Sequence, residues 1–544
     1  MLLTKSTTPL LPPSTALLIL TLLLLLLLVI QRLHQLHTRR HFRLLKGCLE
    51  PKSRAPVRDP FIGLDFIYDA VTSSPDDEDS SYLDSSLESF RRLGTTYTEK
   101  RWSWEVLYTC DARNIKHLLS GGGFADFALP ALRKSAVGGW LGRGIFTLDG
   151  AEWMAARAAL RTSLARLDRG SEMMASLEGH FQATVLHDGR GGGGGGGGSD
   201  MSSSENRLVD LQSLFFRLTM DFAGDFLMGI SENLSSEESF LRDYTACSDE
   251  VVKRLRLGPL QHLRLCLGAT LGARRRVYRR VEEFIAEALS KTKKDRQGHD
   301  EGGGGRREGG KTMLDGLAAV TVDRRLLRDQ LLHMLVASRD TTASVLSNLF
   351  FVLARHPDVY SRLRQEVLAV VGDERGVTPT VVQLKQMHYL RWCVNESLRL
   401  HPPIPTNARE ATRDTTLPYG GGPDGESPIL VRKGVVVMYN VYALHRDERV
   451  FGSRPDAFEP ERWMNLRPGW GFLPFSGGPR VCMGQQLALT EIQYVVARMA
   501  QTFETIEGQG ERDWIGIDAL ATTCRDGVKV KLTKAQREQP PVMA

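Results

Sequence analysis

Phe475-Ser-Gly-Gly-Pro-Arg480-Val-Cys482-Met-Gly484 decides how this chain is read. Cys482 stands in a glycine-rich loop just ahead of the helical pattern Gln485 to Ala500. Helix N-terminal amides and the nearby Arg480 both favour a thiolate there. Such a sulfur is a candidate ligand for haem iron. Gly477, Gly478 and Gly484 let the backbone approach a flat macrocycle and aim amide hydrogens at the sulfur. Arg480 is then expected to pair with a haem propionate. A buried structural cysteine beside a Gly-Pro turn is the competing reading of any lone cysteine. What sets this one apart is the whole spacing F-x-x-G-x-R-x-C-x-G, carried by Phe475, Gly478, Arg480, Cys482 and Gly484.

Away from that loop, 544 residues are enough to bury a large core, and by size alone two or three domains would fit. Hydrophobic content of 42% and charged content of 25% are those of an ordinary globular protein, so the glycine tracts are local insertions. A net charge of +6 is too slight to imply a nucleic-acid partner. The densest basic stretch, Arg274 to Arg276 with Arg279 and Arg280, is followed by Glu282 and Glu283 and reads as a solvated helix face. Seven scattered cysteines without a C-x-x-C pair indicate neither a disulfide framework nor a zinc site.

The N-terminus reads as a signal-anchor, residues 1–33. Thr15 to Ile30 is apolar apart from two threonines and, with Leu10, Leu11 and Leu33 as shoulders, can span a thin bilayer at about 1.5 Å rise per residue. A cleaved signal peptide fits less well, because the chain runs on into Gln31-Arg32 and the basic Arg39, Arg40, Arg43 and Lys46 without a small-residue cleavage site. Those cations outweigh Lys5, which places everything after residue 33 in the cytosol. Residues 34–60, with Pro51, Pro56 and Pro60, read as a basic, proline-rich hinge, residues 61–534 as one catalytic body, and 535–544 as a tail.

Within that body the acidic Ser73 to Asp79 looks like an exposed loop. Glycine-rich stretches near 189–204 and 297–310 bury too little apolar surface to offset ordering entropy and are expected as flexible insertions. Helical periodicity covers Arg324 to Arg355, ended by His356-Pro357, and Gln383 to Leu400, stopped by Pro402-Pro403. Strand-like alternation is confined to Glu105–Thr109, Ile429–Met438 and Gly527–Leu532. The fold class expected is mainly α with small β-sheets, preceded by one transmembrane helix.

The Arg324 to Arg355 helix contradicts itself at Ala337-Ser-Arg-Asp340-Thr341-Thr342. Asp and two β-branched Thr are poor mid-helix residues, and they interrupt an apolar stripe of Leu331, Leu332, Leu335, Val345, Leu346 and Leu349. Local rules tend to break where function demands it. A threonine hydroxyl can bond the carbonyl one turn back and widen the helix, and Ala337 and Ser338 are small enough to leave room for a diatomic ligand. Glu396 and Arg399, three apart on a helix, would ordinarily be a weak surface pair, but Tyr389 to Val394 and Leu398 make their setting apolar. Trp153 and Arg157, four apart, share a helix face.

Taken together, these segments resemble the cytochrome P450 family from about Thr109 to Leu532. The resemblance implies a cytochrome P450 fold holding haem b with Cys482 as axial ligand. It implies that Arg157 with Trp153, Arg409 of Asn407-Ala-Arg409, and Arg480 serve the two propionates. Asp340 and Thr341 then match the oxygen-activation motif, Thr341 hydrogen-bonding to dioxygen and Asp340 helping to relay protons. Ser338 departs from the family, which usually has glycine there. Glu396 and Arg399 match the E-x-x-R helix, with Arg462 as third member of a buried triad that holds the haem core.

The Gly144 to Gly150 run, Val209 to Gln212 with Phe215 to Thr219, and Gly484-Gln-Gln486 are similar to the fungal branch that hydroxylates alkanes and fatty acids at or near the terminal carbon. That branch implies a long apolar substrate, O2, an NADPH-cytochrome P450 reductase with cytochrome b5 as a further donor, and the endoplasmic reticulum membrane. Candidate pocket positions are Leu335, Val336, Ile404 to Thr406, Phe124 to Leu129 and Ala519 to Thr522. Other readings stay open: a monooxygenase of another hydrophobic secondary metabolite, a haem-thiolate isomerase or dehydratase, and a non-catalytic haem-binding membrane protein.

Overall fold

A computed structural model describes residues 13–56, 82–101, 104–166, 170–187, 208–230, 234–262, 267–299, 312–372, 377–510, 513–517 and 519–535. Helices dominate, and the longest in the core, Arg324–Leu353, is buried almost all round. Asp323 starts it, accepting from the Arg325 and Leu326 amides, and His356-Pro357 closes it as expected. Two apolar clusters flank this helix. One joins Phe215 and Leu218 to Leu346, Phe350, Leu398 and Val495; the other joins Trp140, Leu227 and Tyr244 to Leu331, Leu332 and Leu335. The Leu211–Met228 helix packs along it, with the Phe215 and Phe350 rings 5.3 Å apart.

The expected Gln383 to Leu400 helix is two helices, Val381–Gln386 and His388–Leu400, meeting at Met387 in an extended conformation. The first is closed by a capping box in which Thr380 and Gln383 satisfy each other's amides, so it begins and ends as its own unit. The expected strand Ile429–Met438 is likewise two. Gly434, at φ 83°, turns the chain between Ser427–Val431, paired with Thr415–Gly421, and Val436–Asn440. The latter joins a five-stranded sheet in the order Thr96–Arg101, Trp104–Thr109, Val436–Asn440, Thr406–Ala411, Phe127–Ala128. Within it Val106 to Thr109 pair in parallel with Val436 to Tyr439, and Thr406 to Glu410 antiparallel with Asn440 to Val436. The expected Glu105–Thr109 strand is thus present. The C-terminal strand lies two residues later than expected, at Lys529–Lys534.

One helix, Pro13–Lys46, takes in the apolar stretch but does not stop at Leu33. Its Leu17–Lys46 part is long and apolar enough to cross a membrane. Where it is described, the segment read as a hinge touches the sheets. Arg39 Nε sits 3.0 Å from Asp414 Oδ2, and Leu49, Pro51 and Arg54 bridge to Ile429, Gly421 and Thr98. The helix ends at Lys46, ahead of Pro51, and the chain then bonds to the sheets: Leu49 N donates to Pro428 O and Lys52 N to Gly420 O. Pro60, the acidic Ser73 to Asp79 and the glycine tract near 189–204 lie outside the described residues. Of the tract near 297–310, the first residues continue the helix Leu267–His299, and the remainder lies outside the described residues.

Candidate active site

Cys482 closes a tight loop onto Phe475, its amide donating to the Phe475 carbonyl at 3.0 Å. The loop needs its glycines for stated reasons. Gly478 has φ +67°, and a Cβ on it would run into the Leu119 carbonyl; at Gly477 a Cβ would strike the Trp470 ring. Gly484 caps the Gln485–Thr502 helix, and its amide donates toward the Cys482 sulfur. Among the described cysteines Cys482 alone is exposed, the other five being buried. Its thiol is pushed up by burial, and the Gly484 amide and Arg157 only partly oppose this. The Gly484 amide and Arg157 thus act in the expected direction, toward the thiolate, against the larger effect of desolvation.

Arginines converge beside that loop. Arg157 Nη2 donates to the Val481 carbonyl at 2.8 Å, tying the Gly150–Arg166 helix to the cysteine loop. Arg480 donates to Leu148 O at 3.0 Å and Asp149 Oδ1 at 2.7 Å, with its guanidinium 4.2 Å from the centre of the Trp153 ring. Arg409 is buried on the sheet and donates to the Ala408 carbonyl at 2.8 Å. A fourth, Arg133, was not singled out in the sequence; it donates to Asn407 Oδ1 at 2.5 Å, the same oxygen that Arg409 approaches at 3.4 Å. Among the described residues Asp149, shared with Lys134 at 3.2 Å, is the only carboxylate hydrogen-bonded to any of these four arginines. Burial first, then mutual repulsion, pulls both Arg133 and Arg480 down to about 10. This is a binding site short of negative charge.

The triad assembles as expected. Glu396 and Arg399 are fully buried. Glu396 accepts from Arg399 Nη2 at 2.8 Å and Nε at 2.9 Å, from Arg462 Nε at 2.7 Å, from Trp463 Nε1 at 2.9 Å and from the Glu459 amide at 2.9 Å. Arg399 also donates to the carbonyls of Ala457, His445 and Pro455. His445, likewise not foreseen, carries this core to the cysteine loop: its Nδ1 is 3.2 Å from Arg399 O, and its Nε2 accepts from the Leu473 amide at 2.8 Å. Burial pushes His445 down to about 3, so the ring is neutral and can accept at Nε2.

On the distal side, Thr341 Oγ1 donates to Ala337 O at 2.7 Å and Ser338 Oγ to Met334 O at 2.9 Å. The helix runs continuously through these residues, from Arg324 to Leu353. Both hydroxyls bond the carbonyl one turn back, as expected of Ser and Thr inside a helix. Asp340 is buried and ion-paired with its neighbour, Arg339 Nη1 to Asp340 Oδ1 at 2.6 Å. Arg339 itself lies 4.9 Å from the Phe216 ring centre and 5.0 Å from that of Tyr244. Burial raises the Asp340 carboxyl and Arg339 opposes it.

The pocket candidates divide. Ala337, Ser338 and Thr341 are partly exposed, whereas Leu335 is only 1% exposed and belongs to the core cluster rather than a pocket wall. At about 100° per residue, two positions turn Leu335 to the far side of the helix from Ala337. Val336 is buried and Ile404 exposed. Phe124 is partly buried, its ring 6.3 Å from that of Trp153, and Leu129 is buried. Leu520 packs against the same apolar cluster as Phe146 and Met483.

An accessible cysteine in a glycine-shaped loop, with four arginines of which only Arg480 bonds a carboxylate, fits a flat iron macrocycle with two propionates. Residues 81–516 match the family described as Cytochrome P450. Cytochrome P450 monooxygenase himC of Aspergillus japonicus is 39% identical over 503 residues, 91% of this chain and 86% of its own length. Cytochrome P450 monooxygenase fsdH of Fusarium heterosporum is 36% identical over 521 residues, 94% of this chain and 87% of its own. Cytochrome P450 52A5 of Candida maltosa is 38% identical over 460 residues, 79% of this chain and 81% of its own. With that similarity running along the whole catalytic body, the chain belongs to the cytochrome P450 family: it is a monooxygenase that uses haem b with an axial cysteine thiolate, O2, a substrate and a redox partner.

Proposed function

We propose that this monooxygenase hydroxylates long apolar chains, fatty acids or n-alkanes, at or near the terminal carbon. It does so anchored by its N-terminal helix to the endoplasmic reticulum membrane with the catalytic body in the cytosol. Its electrons come from an NADPH-cytochrome P450 reductase, with cytochrome b5 as a further donor. The observation that carries the substrate class is composition: the candidate pocket positions Phe124, Val336, Ile404, Leu520 and Ala521 are apolar, as is Ala337, one turn before Thr341. The motifs shared with the alkane and fatty-acid branch, and the similarity to the Candida maltosa protein, support it.

In this reading Cys482 is the axial ligand, with Phe475, Gly478 and Gly484 shaping its loop. Trp153, Arg157, Arg409 and Arg480, joined by Arg133, would hold the propionates and offset their charge. When bound, haem b supplies the reductive activation of dioxygen that places one oxygen in a C–H bond and one in water. The Thr341 hydroxyl hydrogen rests on Ala337 O and can turn away from it, which frees that hydrogen to be donated while Oγ1 accepts another. Asp340, whose carboxyl burial raises while its ion pair with Arg339 opposes this, is the group placed next to Thr341 to take up and release a proton. Glu396, Arg399 and Arg462 hold the core beneath the loop and do not react.

A second reading, oxidation of another hydrophobic secondary metabolite, is favoured by one observation. The Aspergillus japonicus and Fusarium heterosporum relatives align over more of this chain than the Candida maltosa protein does. Reconstitution with reductase, NADPH and a series from dodecanoic acid to hexadecane separates the two. No NADPH-dependent hydroxylation across the series, in protein with an intact haem spectrum, would sink the first reading.

A further inference from the structure

Beyond Thr341 and outside the oxygen-activation motif, the distal helix carries the fully buried Ser347, spent on its own helix by donating to Ala343 O at 2.7 Å, and two more fully buried polar residues that reach across it, Ser344 and Asn348. Buried polar groups are costly unless paired, so their partners say what they are for. Both hold one carbonyl. Ser344 Oγ donates to Thr522 O at 2.6 Å and Asn348 Nδ2 to the same oxygen at 3.2 Å. Asn348 Oδ1 in turn accepts from Trp514 Nε1 at 3.0 Å, and the Thr522 amide donates to Pro403 O at 2.9 Å.

Thr522 thus ties together three segments. These are the distal helix just past Thr341, the loop that continues into Ile404, and the hairpin Gly516–Ile517 with Thr523–Cys524. Asn348 lies seven residues after Thr341 and therefore on the same helix face. Leu520, two residues before the staple, packs against the cluster that also receives Phe146 and Met483, the neighbour of Cys482.

We propose that Ser344, Asn348 and Trp514 are positioning residues that set how deeply the Leu520–Ala521 wall enters the apolar channel, and so decide which carbon of a chain reaches the reacting centre. The inference rests on the apolar channel argued above. Replacing both members of the Asn348–Trp514 bond, Asn348→Leu with Trp514→Phe, leaves no orphaned donor between them while releasing one of the two holds on Thr522. Ser344→Ala releases the other more gently and serves as the independent variant.

The probe is a series of 1-alkylimidazoles from butyl to dodecyl, whose ring nitrogen binds haem iron and whose tail lies in the channel, read by the shift of the haem absorption band. In the wild type, affinity should rise about fourfold per buried methylene until the tail meets the wall, then level off. In the variants the levelling point should move by at least one carbon, changing affinity at the wild-type limit by about threefold or more. Carbon monoxide spectra and melting temperatures establish that each variant is folded and haem-loaded. An unmoved chain-length profile in such variants overturns the proposal. A wild type whose affinity does not depend on chain length at all would instead remove the apolar-channel reading, and the inference with it.

Discussion

Glu396→Gln is the sharpest perturbation of the core beneath the cysteine loop. The carboxylate takes five donors between 2.7 and 2.9 Å, three of them from the guanidiniums of Arg399 and Arg462. Glutamine keeps the volume but supplies one acceptor oxygen, so its amide hydrogens face either Arg399 Nε with Trp463 Nε1, or Arg399 Nη2 with Arg462 Nε and the Glu459 amide. Arg462 retains Glu459 at 3.0 Å, but Arg399, wholly buried, keeps only neutral carbonyls. Stranding a buried charge in this way costs about 3–5 kcal/mol, more than a hundredfold in the folded-to-unfolded ratio. That is a large part of the roughly 5–15 kcal/mol that holds a domain together. Trp463→Phe removes a single donor and should cost only about 1–3 kcal/mol. Denaturant unfolding followed by circular dichroism, with haem content read from the carbon monoxide spectrum, measures both. A Glu396→Gln protein with wild-type midpoint and haem content would refute the assignment of the triad as the support of the haem core.

Cys482→Ala should abolish the thiolate-type band of the reduced carbon monoxide complex while other haem binding persists; survival of the band would overturn the ligand assignment. Thr341→Ala should keep the spectrum but divert reducing equivalents to hydrogen peroxide, because the hydroxyl that rests on Ala337 O is gone; unchanged coupling of NADPH consumption to product would count against a proton role. Acid should destabilise the fold through His445: its folded value of about 3 lies below the ordinary 6.5, so below pH 6.5 the unfolded chain binds the proton and the folded one does not. Stability from this group is complete above pH 6.5 and falls by about 1.4 kcal/mol per pH unit toward pH 3. His445→Gln should flatten that slope in unfolding titrations, and an equal slope in wild type and variant would show that His445 does not cause it.

What was legible in the sequence was whatever depends on spacing along one element. The Cys482 loop, Glu396 with Arg399, and Trp153 with Arg157 each lie within a few residues, and helix or turn geometry then brings them together. Arg462 was reached only through the family's pattern, and it does join Glu396 at 2.7 Å. What stayed hidden depends on the approach of distant segments. Arg133 is an ordinary helix residue until Asn407 on a sheet strand meets it, and His445 means nothing until Leu473 and Arg399 close on it from either side. Periodicity also ran across punctuation: Met387 and Gly434 each divide what hydrophobicity alone reads as one element. Asp340 shows a further limit, because the motif names the residue but its partner is the adjacent Arg339.

Arg480 and its neighbours Arg133, Arg157 and Arg409 have a consequence for how the protein comes into being. Newly made chain that has folded without haem confines their positive charges in low dielectric with one carboxylate among them. Two propionates would bring the missing anions, so cofactor uptake completes the electrostatics of the interior as well as equipping the enzyme. By mass action, whatever binds only the folded chain raises its stability. Haem supply therefore acts on this protein as a folding factor, and a cell short of it would carry chains that are shaped correctly yet remain open to proteolysis.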